Sequence, residues 1–504
     1  MGLGHIVKKF RFEILIFIVE FVYMILELVA SRVLSPYFGN SNLVWTSVIG
    51  IILLSSSIGN FVGGKIADKE NKERNLKFVL LGSSAFILLT AIIQENVVKG
   101  LANSIYSTSI GSIITTLVLF FIPSMLIGFI SPIVLKLKLE SIEVAGRTAG
   151  RLNAIATIGG ITGTFIGGFL LIPNIVSAYI LYILVIVLIC LIPIVDLKFK
   201  TWTNIAVSAL LITSITLLAV NINSNQSNAD KVLKGYINCS VTYDTEYGHV
   251  QIYNENVGIN QVRYLKVNNG FESATYTDYS RRYKLVYNYT KYYDLMFLSD
   301  IDINNTLMIG GGGYSYPEHY ISSYPDKSMD VVEIDSKITE LAKKYFYLDE
   351  LIKEFDLNKT KRLDLINQDG RVYLNKNQEK YDAILNDAFY GSTPIATLTT
   401  IEAILHIKNS LNERRLYLTN VISSLEGDNS KFLKAQVNTL QQVFNNVYSI
   451  PCKSTSNLSV VQNVMVIATD DEISFDGVYK VILSQDEIIL TDDYCPVEQL
   501  APKY

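Results

Sequence analysis

Several residues in the C-terminal half of the chain have types and spacing that suit the binding of a nucleoside. The segment TLMIGGGGYSYPEHY at 306–320 is an apolar run that ends in four glycines. Glycines after a strand let the backbone pass close to a ligand. Glu333 ends the next apolar run about 20 residues later, where an acidic side chain binds ribose hydroxyls.

Two further acids follow the next apolar runs. Asp369, which precedes Gly370, is placed to accept a hydrogen bond from an adenine amino group, and Asp387 is a candidate general base. A helix cap or a turn is the competing interpretation for each acid, because Asp commonly caps helices. The glycine run alone is a weak signal, since Tyr316 replaces the third glycine of G-x-G-x-x-G.

Alternating strands and helices are predicted to position these residues. The predicted strands are 306–310, 329–335, 363–367, 381–387 and 415–421, and the helices between them are about 317–325, 336–346, 370–377 and 398–411. This alternation predicts a parallel, doubly wound sheet, and ligands bind such sheets at the carboxyl ends of the strands. Residues 240–275 alternate like antiparallel hairpins and predict a small β domain in front of it.

The first half of the chain is predicted to be a membrane domain. Seven stretches are apolar over the roughly 20 residues that a helix needs to cross a bilayer. They cover about 13–34, 43–63, 77–96, 109–135, 152–172, 175–196 and 203–221. The small residues of TIGGITGTFIGG at 157–168 predict two helices that approach closely.

These patterns predict an α-helical multi-span membrane domain, a small β domain and a Rossmann-like α/β domain of the class I methyltransferase type. The predicted bounds are 1–222 for the membrane domain, 223–235 for a polar linker, 236–300 for the β domain and 301–504 for the Rossmann-like domain.

Three glutamates lie within the first apolar stretch. Glu13, Glu20 and Glu27 are spaced by seven and so share one helix face. Carboxylates are costly in a membrane and usually face a bundle interior or a polar path, so Glu20 and Glu27 are candidates for a cation or amine site. In the alternative, Glu13 lies at the interface and the other two pair with Arg32 or with the backbone.

Composition argues against two kinds of function. The net charge is −4 and no basic block suits nucleic acid. The four cysteines form no CxxC pair, so neither a zinc site nor a disulfide framework is predicted, and no metal is expected.

The motifs LMIGGGG, VVEID, NQDGRVYL and YDAILNDAFYGSTP together resemble the aminopropyltransferases of the spermidine synthase family. The resemblance covers about residues 240–425, and the membrane half resembles bacterial proteins in which a multi-span domain is fused to such a domain. It implies transfer of an aminopropyl group from decarboxylated S-adenosylmethionine to an amine, as in polyamine biosynthesis, with Asp387 as the base. The implied nucleoside-binding residues are Gly310, Gly311, Gly312, Gly313, Glu333, Asp369, Gly370 and Pro394.

The acids that bind a diamine in this family are missing. The family's Asp after GGG falls at Gly313, the second Asp of its DxxD motif falls at Tyr390, and its Gln contact falls near Gly248. Hydrogen bonds to charged groups contribute roughly 1.5–3 kcal/mol each, so we expect poor use of putrescine. Aromatic faces attract ammonium groups, which makes tyrosines the candidate substrate contacts. They are Tyr314, Tyr390 and Tyr287.

Two alternatives stay open. Gly313 also removes a charge that would repel the carboxylate of intact S-adenosylmethionine, so the chain is alternatively a methyl or aminocarboxypropyl transferase that uses the intact donor. In the other alternative it is a transporter or sensor whose nucleoside-binding domain does no chemistry. The expected partners are a small amine acceptor and the lipid bilayer, not nucleic acid, and a homodimer is left open.

The location of the C-terminal half raises a conflict. Lys and Arg lie at the N-terminus, at 65–77, at 136–151 and at 198–200, which places the N-terminus inside the cell. Seven spans would then put the C-terminal half outside. S-adenosyl donors are cytosolic, however, so we expect a multi-pass protein of the cell membrane whose C-terminal half faces the cytoplasm. That placement assumes that 203–221 does not span.

Overall fold

The computed structural model describes two compact units. The described residues are 3–38, 42–105, 107–139, 144–195, 201–268, 270–298, 301–391, 393–453, 457–473 and 488–502. The first unit is Met1–Asp230 with Val241–Gln251, and the second is Lys231–Ser240 with Ile252–Tyr504.

The first unit is built from helices. They are α1 (Leu3–Phe38), α2 (Asn42–Ala67), α3 (Lys72–Ser104), α4 (Thr108–Gly128), α5 (Ile130–Lys138), α6 (Ala145–Ile166), α7 (Ser177–Val195) and α8 (Thr201–Leu233). Within the described ranges, seven helical segments are long and apolar enough to cross a membrane, and each overlaps one of the predicted stretches. They are Phe10–Phe38, Leu43–Ala67, Lys72–Ser104, Thr108–Lys138, Ala145–Leu171, Ser177–Val195 and Asn204–Leu233.

The segment 223–235, predicted to be a polar linker, is helical as far as Leu233. The last carbonyls of a helix have no partner within the helix. Here the Val232 carbonyl accepts hydrogen bonds from Asn254 Nδ2 (2.7 Å) and Arg263 (2.8 Å). These tertiary bonds stabilise a helix end whose own residues are polar.

Glycines of α6 bring its backbone against α1. A Cβ on Gly159 would lie 2.2 Å from the Phe17 carbonyl oxygen, and one on Gly163 would lie 2.5 Å from that of Phe21. Only glycine fits at such distances. The close approach predicted from TIGGITGTFIGG is therefore present.

The three glutamates of α1 differ in their surroundings. Glu13 is buried and pairs with Lys138 (3.3 Å) and Arg151 (3.2 Å). Glu20 and Glu27 are half-buried, and no ion pair among the described residues involves either of them. The predicted pairing with Arg32 is wrong, because Arg32 donates to the Glu246 carbonyl instead.

Four strands run in chain order in a small antiparallel sheet: β1 (Ser240–Asp244), β2 (His249–Val257), β3 (Asn260–Val267) and β4 (Gly270–Tyr276). The hairpins predicted at 240–275 are therefore present. In the second unit, β3 and β4 pair from Val262 opposite Tyr276 to Val267 opposite Gly270.

A seven-stranded sheet forms the rest of the second unit. Its strands are β5 (Asn305–Ile309), β6 (Ser328–Glu333), β7 (Leu363–Asn367), β8 (Tyr381–Asn386), β11 (Leu411–Ser423), β12 (Asn446–Pro451) and β13 (Gln462–Thr469). Their spatial order is β12-β13-β11-β8-β5-β6-β7. The five strands predicted from the sequence are the parallel ones. The prediction of a wholly parallel sheet is wrong at one edge, where β13 runs antiparallel to both β11 and β12.

Helices connect these strands. They are α9 (Ser315–Ser323), α10 (Ser336–Tyr345), α11 (Leu348–Glu354), α12 (Leu357–Thr360), α13 (Gly370–Lys376), α14 (Ile401–Ser410), α15 (Lys431–Gln441) and α16 (Val497–Leu500). Two short strands, β9 (Phe389–Tyr390) and β10 (Thr393–Pro394), form a hairpin after β8. Apolar side chains of the central strands, including Leu307, Ile384 and Tyr417, are fully buried in one core and hold the strand ends in place.

Candidate active site

The predicted site residues meet where the strand order reverses. The chain goes from β5 outward to β6 and β7, then returns to β8 on the other side of β5. A crevice at such a reversal is the usual ligand site of an open α/β sheet. A Cβ on Gly310 (φ +94°), just after β5, would lie 2.7 Å from the carbonyl oxygen of Asp387, just after β8. The two strand ends therefore touch, and only glycine fits between them.

Glu333 is placed by the end of β6 and holds the glycine loop. Its Oε2 accepts hydrogen bonds from the backbone N–H groups of Gly311 (2.8 Å) and Gly312 (3.0 Å), and its Oε1 accepts one from Asp335 (3.0 Å). Burial raises the pKa of the Glu333 carboxyl, although these three N–H groups partly offset the effect. Because a carboxylate has about four acceptor positions, Glu333 keeps capacity for a ribose hydroxyl.

Gly313, where the sequence resemblance implies that the family has an acid, does not lie beside an open space. A Cβ at this position would lie 2.6 Å from both Cβ and Oγ of Ser273 and 3.1 Å from the ring of Phe346. The Ser273 Oγ is itself hydrogen-bonded to Ser315 Oγ (2.7 Å). Ser273 of β4 thus takes the room that an acidic side chain would need.

Tyr314, a predicted substrate contact, is packed inside the fold, and its role toward a substrate stays a prediction. Its side chain is fully buried, and its hydroxyl hydrogen-bonds to Thr339 Oγ1 (2.8 Å) on α10. The ring lies under the loop, so that a Cβ on Gly311 would lie 2.8 Å from it. The backbone of Tyr314 is left-handed (φ +60°), a conformation uncommon for a bulky residue. Packing of the ring under the glycine loop favours this conformation.

Asp387 lies in the crevice between two hydrogen-bond donors. Tyr289 Oη donates to its Oδ2 (3.1 Å), and Asn420 Nδ2 donates to its Oδ1 (2.9 Å). Burial raises the pKa of the Asp387 carboxyl, and hydrogen bonds from Asn420, Tyr289 and Tyr293 lower it in part. A held carboxylate with a raised pKa suits a general base.

Two tyrosines predicted to contact the substrate flank this site. Tyr287 is half-buried, and its ring stacks on that of Tyr289 with centroids 6.0 Å apart. Its hydroxyl is buried and has no hydrogen-bond partner among the described residues. Tyr390 is half-buried on β9, and its hydroxyl accepts from Asn268 Nδ2 (3.0 Å).

The residues predicted to hold the adenine base of the nucleoside also lie at strand ends. Asp369 caps α13, since its Oδ1 accepts from the Val372 N–H (2.9 Å), so the helix-cap interpretation is confirmed for one of its oxygens. A Cβ on Gly370 would lie 2.6 Å from Ile309 Cγ2, so this glycine is required by packing against β5. Pro394 is buried on β10 opposite Phe389. The role of these three residues in a nucleoside pocket stays a prediction.

Four residues of the site were not predicted. They are Glu272 and Ser273 of β4, Tyr289 in the segment that follows β4, and Asn420 of β11. The predicted Gln equivalent, Gly248, lies instead in the turn after β1, where its N–H donates to Thr245 Oγ1 (3.1 Å). The alternation of GFESATY was the one available signal that β4 presents polar side chains.

Comparison with known proteins agrees with this geometry. Residues 294–476 match the family model described as the Spermine/spermidine synthase domain. The chain is 30% identical over 162 residues to a polyamine aminopropyltransferase of Vibrio vulnificus (strain CMCP6), which covers 32% of this chain and 50% of that protein. It is 28% identical to one of Chromobacterium violaceum over 178 residues, 35% of this chain and 63% of that protein.

A solved structure gives a weaker likeness. The crystal structure of spermidine synthase from Thermotoga maritima superposes with a TM-score of 0.35 at 18% identity, over 46% of this chain and 72% of that one. The chain spans less than two thirds of the length of the two curated relatives. Over residues 294–476, the chain is therefore similar to spermine/spermidine synthase domains.

Proposed function

We propose that this chain is a transferase that moves an aminopropyl group from decarboxylated S-adenosylmethionine to an amine. The observation that carries the proposal is the Asp387 carboxylate, held by Tyr289 and Asn420 where the strand order reverses and beside the glycine loop. The match of residues 294–476 to a synthase domain supports the same reaction class.

The geometry suits one displacement step. The lone pair of a neutral amine attacks the aminopropyl carbon next to the sulfonium, a C–N bond forms and the C–S bond breaks. The electron pair of that bond goes to sulfur, which leaves as neutral 5′-methylthioadenosine. The new ammonium transfers a proton to Asp387, so the carboxylate must be ionised before the reaction. Glu333 would hold the ribose of the donor.

The test of this role is Asp387→Asn. Loss of general-base assistance lowers rates by about 10²–10⁴-fold, so kcat should fall by that order. Binding of 5′-methylthioadenosine, measured by calorimetry, should change little. Asp364→Asn, at an exposed position on β7, is the control and should leave both quantities unchanged. Full turnover by Asp387→Asn would contradict the proposal.

We also propose an acceptor other than simple putrescine and a membrane location for the first unit. The missing acids at Gly313 and Tyr390 support the first point. The seven long apolar helical segments support the second, because each is long enough to span a bilayer.

A further inference from the structure

We propose that Glu272 binds the distal ammonium group of the acceptor, so that this chain selects diamines or polyamines over monoamines. The inference rests on the proposed function, because it concerns the acceptor of that reaction. The acids expected to bind an ammonium group are missing at Gly313 and Tyr390. In this proposal a carboxylate on a different element, β4, binds the ammonium group instead.

The position of Glu272 brings it to the crevice. Its backbone carbonyl lies beside the glycine loop, since a Cβ on Gly312 would lie 3.4 Å from it. Its carboxylate turns back over the start of β4, because a Cβ on Gly270 would lie 2.7 Å from Oε1. The same Cβ on Gly270 would lie 2.6 Å from the Cα of Gly391, which is in the loop that follows Asp387. Glu272 therefore lies between the glycine loop and the loop of the catalytic acid.

The charge of Glu272 is not balanced within the part of the chain that the structure describes. No ion pair there involves Glu272, Glu333 or Asp387. Burial and then the negative charges of Glu333 and Asp387 raise the pKa of Glu272 well above its ordinary value. A cation bound among these acids would relieve that repulsion. The ammonium group of an amine acceptor can supply that positive charge.

Neighbouring aromatic side chains fit the same ligand. The buried Tyr287 hydroxyl has no partner among the described residues and can accept an N–H bond. Its ring lies 6.5 Å from that of Tyr264. Aromatic faces attract ammonium groups and contact methylene chains. With Asp387 taking the proton of the attacking amine, Glu272 is the remaining acid for a second amino group.

The test is Glu272→Gln, which keeps the shape of the side chain and removes its charge. With 5′-methylthioadenosine bound to saturation, calorimetry measures Kd for 1,3-diaminopropane, putrescine, cadaverine, spermidine and n-butylamine. We expect Kd for the best di- or polyamine to rise at least about tenfold, with n-butylamine unchanged and with Glu272→Asp restoring part of the loss. Glu255→Gln, an exposed acid on β2, is the matched control.

Three results would overturn the inference. One is equal diamine affinity in Glu272→Gln and wild type, and another is an equal loss for n-butylamine and the diamines. The third is a wild-type chain that binds 5′-methylthioadenosine but none of these amines. In each of these cases the nucleoside site stands. A wild-type chain that does not bind 5′-methylthioadenosine would instead reject the proposed function, and this inference with it.

Discussion

Glu333 shows how one side chain serves both the fold and the candidate site. The sequence assigns it to a ribose, and the structure shows it bonded to two N–H groups of the glycine loop. Removal of the Glu333 carboxylate would therefore loosen the glycine loop and also weaken the predicted contact with the ribose of the S-adenosyl donor. Gly313 shows the opposite case. The side chain of an acid placed there would clash with Ser273, so an aspartate cannot simply be introduced at this position.

Sequence reasoning placed Asp387 but not its partners. A residue after a predicted strand must lie at the sheet edge, so strand prediction alone locates it. Its donors Tyr289 and Asn420 lie 98 and 33 positions away in sequence, and no local pattern reports such pairings. The same limit applies to Tyr314, whose hydroxyl hydrogen-bonds to Thr339 of α10, 25 positions away in the sequence.

A prediction at this scale concerns Glu318, a buried acid on α9. It is 1% exposed, and its Oε1 has no partner among the described residues. Burial, with a smaller contribution from the charge of Glu350, raises its pKa well above the ordinary value. A raised folded-state pKa contributes stability below the unfolded-state pKa, and this stability is lost as pH rises through the folded value.

The melting temperature of Glu318→Gln, relative to that of wild type, should therefore rise as the pH increases from 5 to 8. The measurement is thermal unfolding in detergent across that pH range. Glu379→Gln, at an exposed position, serves as control and should show no pH-dependent difference. A wild-type advantage that grows with pH would show that Glu318 is ionised in the fold.

Among the elements, the repeated alternation of strand and helix was predicted from the sequence, whereas the antiparallel edge strands and the end of α8 were not. The βα alternation located five parallel strands within a few residues. Strands β12 and β13 were not predicted, because an antiparallel pair at a sheet edge breaks that alternation. The helical end of α8 was not predicted for another reason. Its polar residues suggest a linker, and hydrogen bonds from Asn254 and Arg263 overrule that local preference.

The contact between α1 and α6 gives a prediction at this scale. A side chain at Gly159 would collide with the Phe17 carbonyl, so Gly159→Val should force the helices apart. Overpacking of this kind costs about 1–3 kcal/mol. Gly168→Val is the control, because a Cβ there has no atom within 4 Å. We expect a lower melting temperature for Gly159→Val alone, and equal melting of both variants would refute the close packing.

At the scale of the whole molecule, contacts within the first unit bear on its orientation. Ser177 Oγ at the start of α7 donates to Asp244 (2.6 Å), Arg32 near the end of α1 donates to the Glu246 carbonyl, and Asn225 Nδ2 of α8 donates to the Thr242 carbonyl (2.9 Å). Residues 241–251 thus pack on the end of the bundle where α1 and α8 end and α7 begins, opposite to the 65–77 loop.

We predict that Cys239, next to these residues in the chain, and a cysteine placed in the 65–77 loop are labelled from opposite sides of the membrane. Single-cysteine variants and an impermeant maleimide on intact cells make the measurement. Labelling of both from one side would contradict the bundle contacts. The expected cytoplasmic placement of the C-terminal half stays a prediction.

The proposed transfer of an aminopropyl group can be measured directly. The detergent-purified chain is incubated with an amine panel and either decarboxylated or intact S-adenosylmethionine, and 5′-methylthioadenosine is measured by mass spectrometry. We expect its release to need an amine, the decarboxylated donor and Asp387. The proposal would be contradicted by a chain that binds 5′-methylthioadenosine yet releases none with any amine, or by product formed from the intact donor alone.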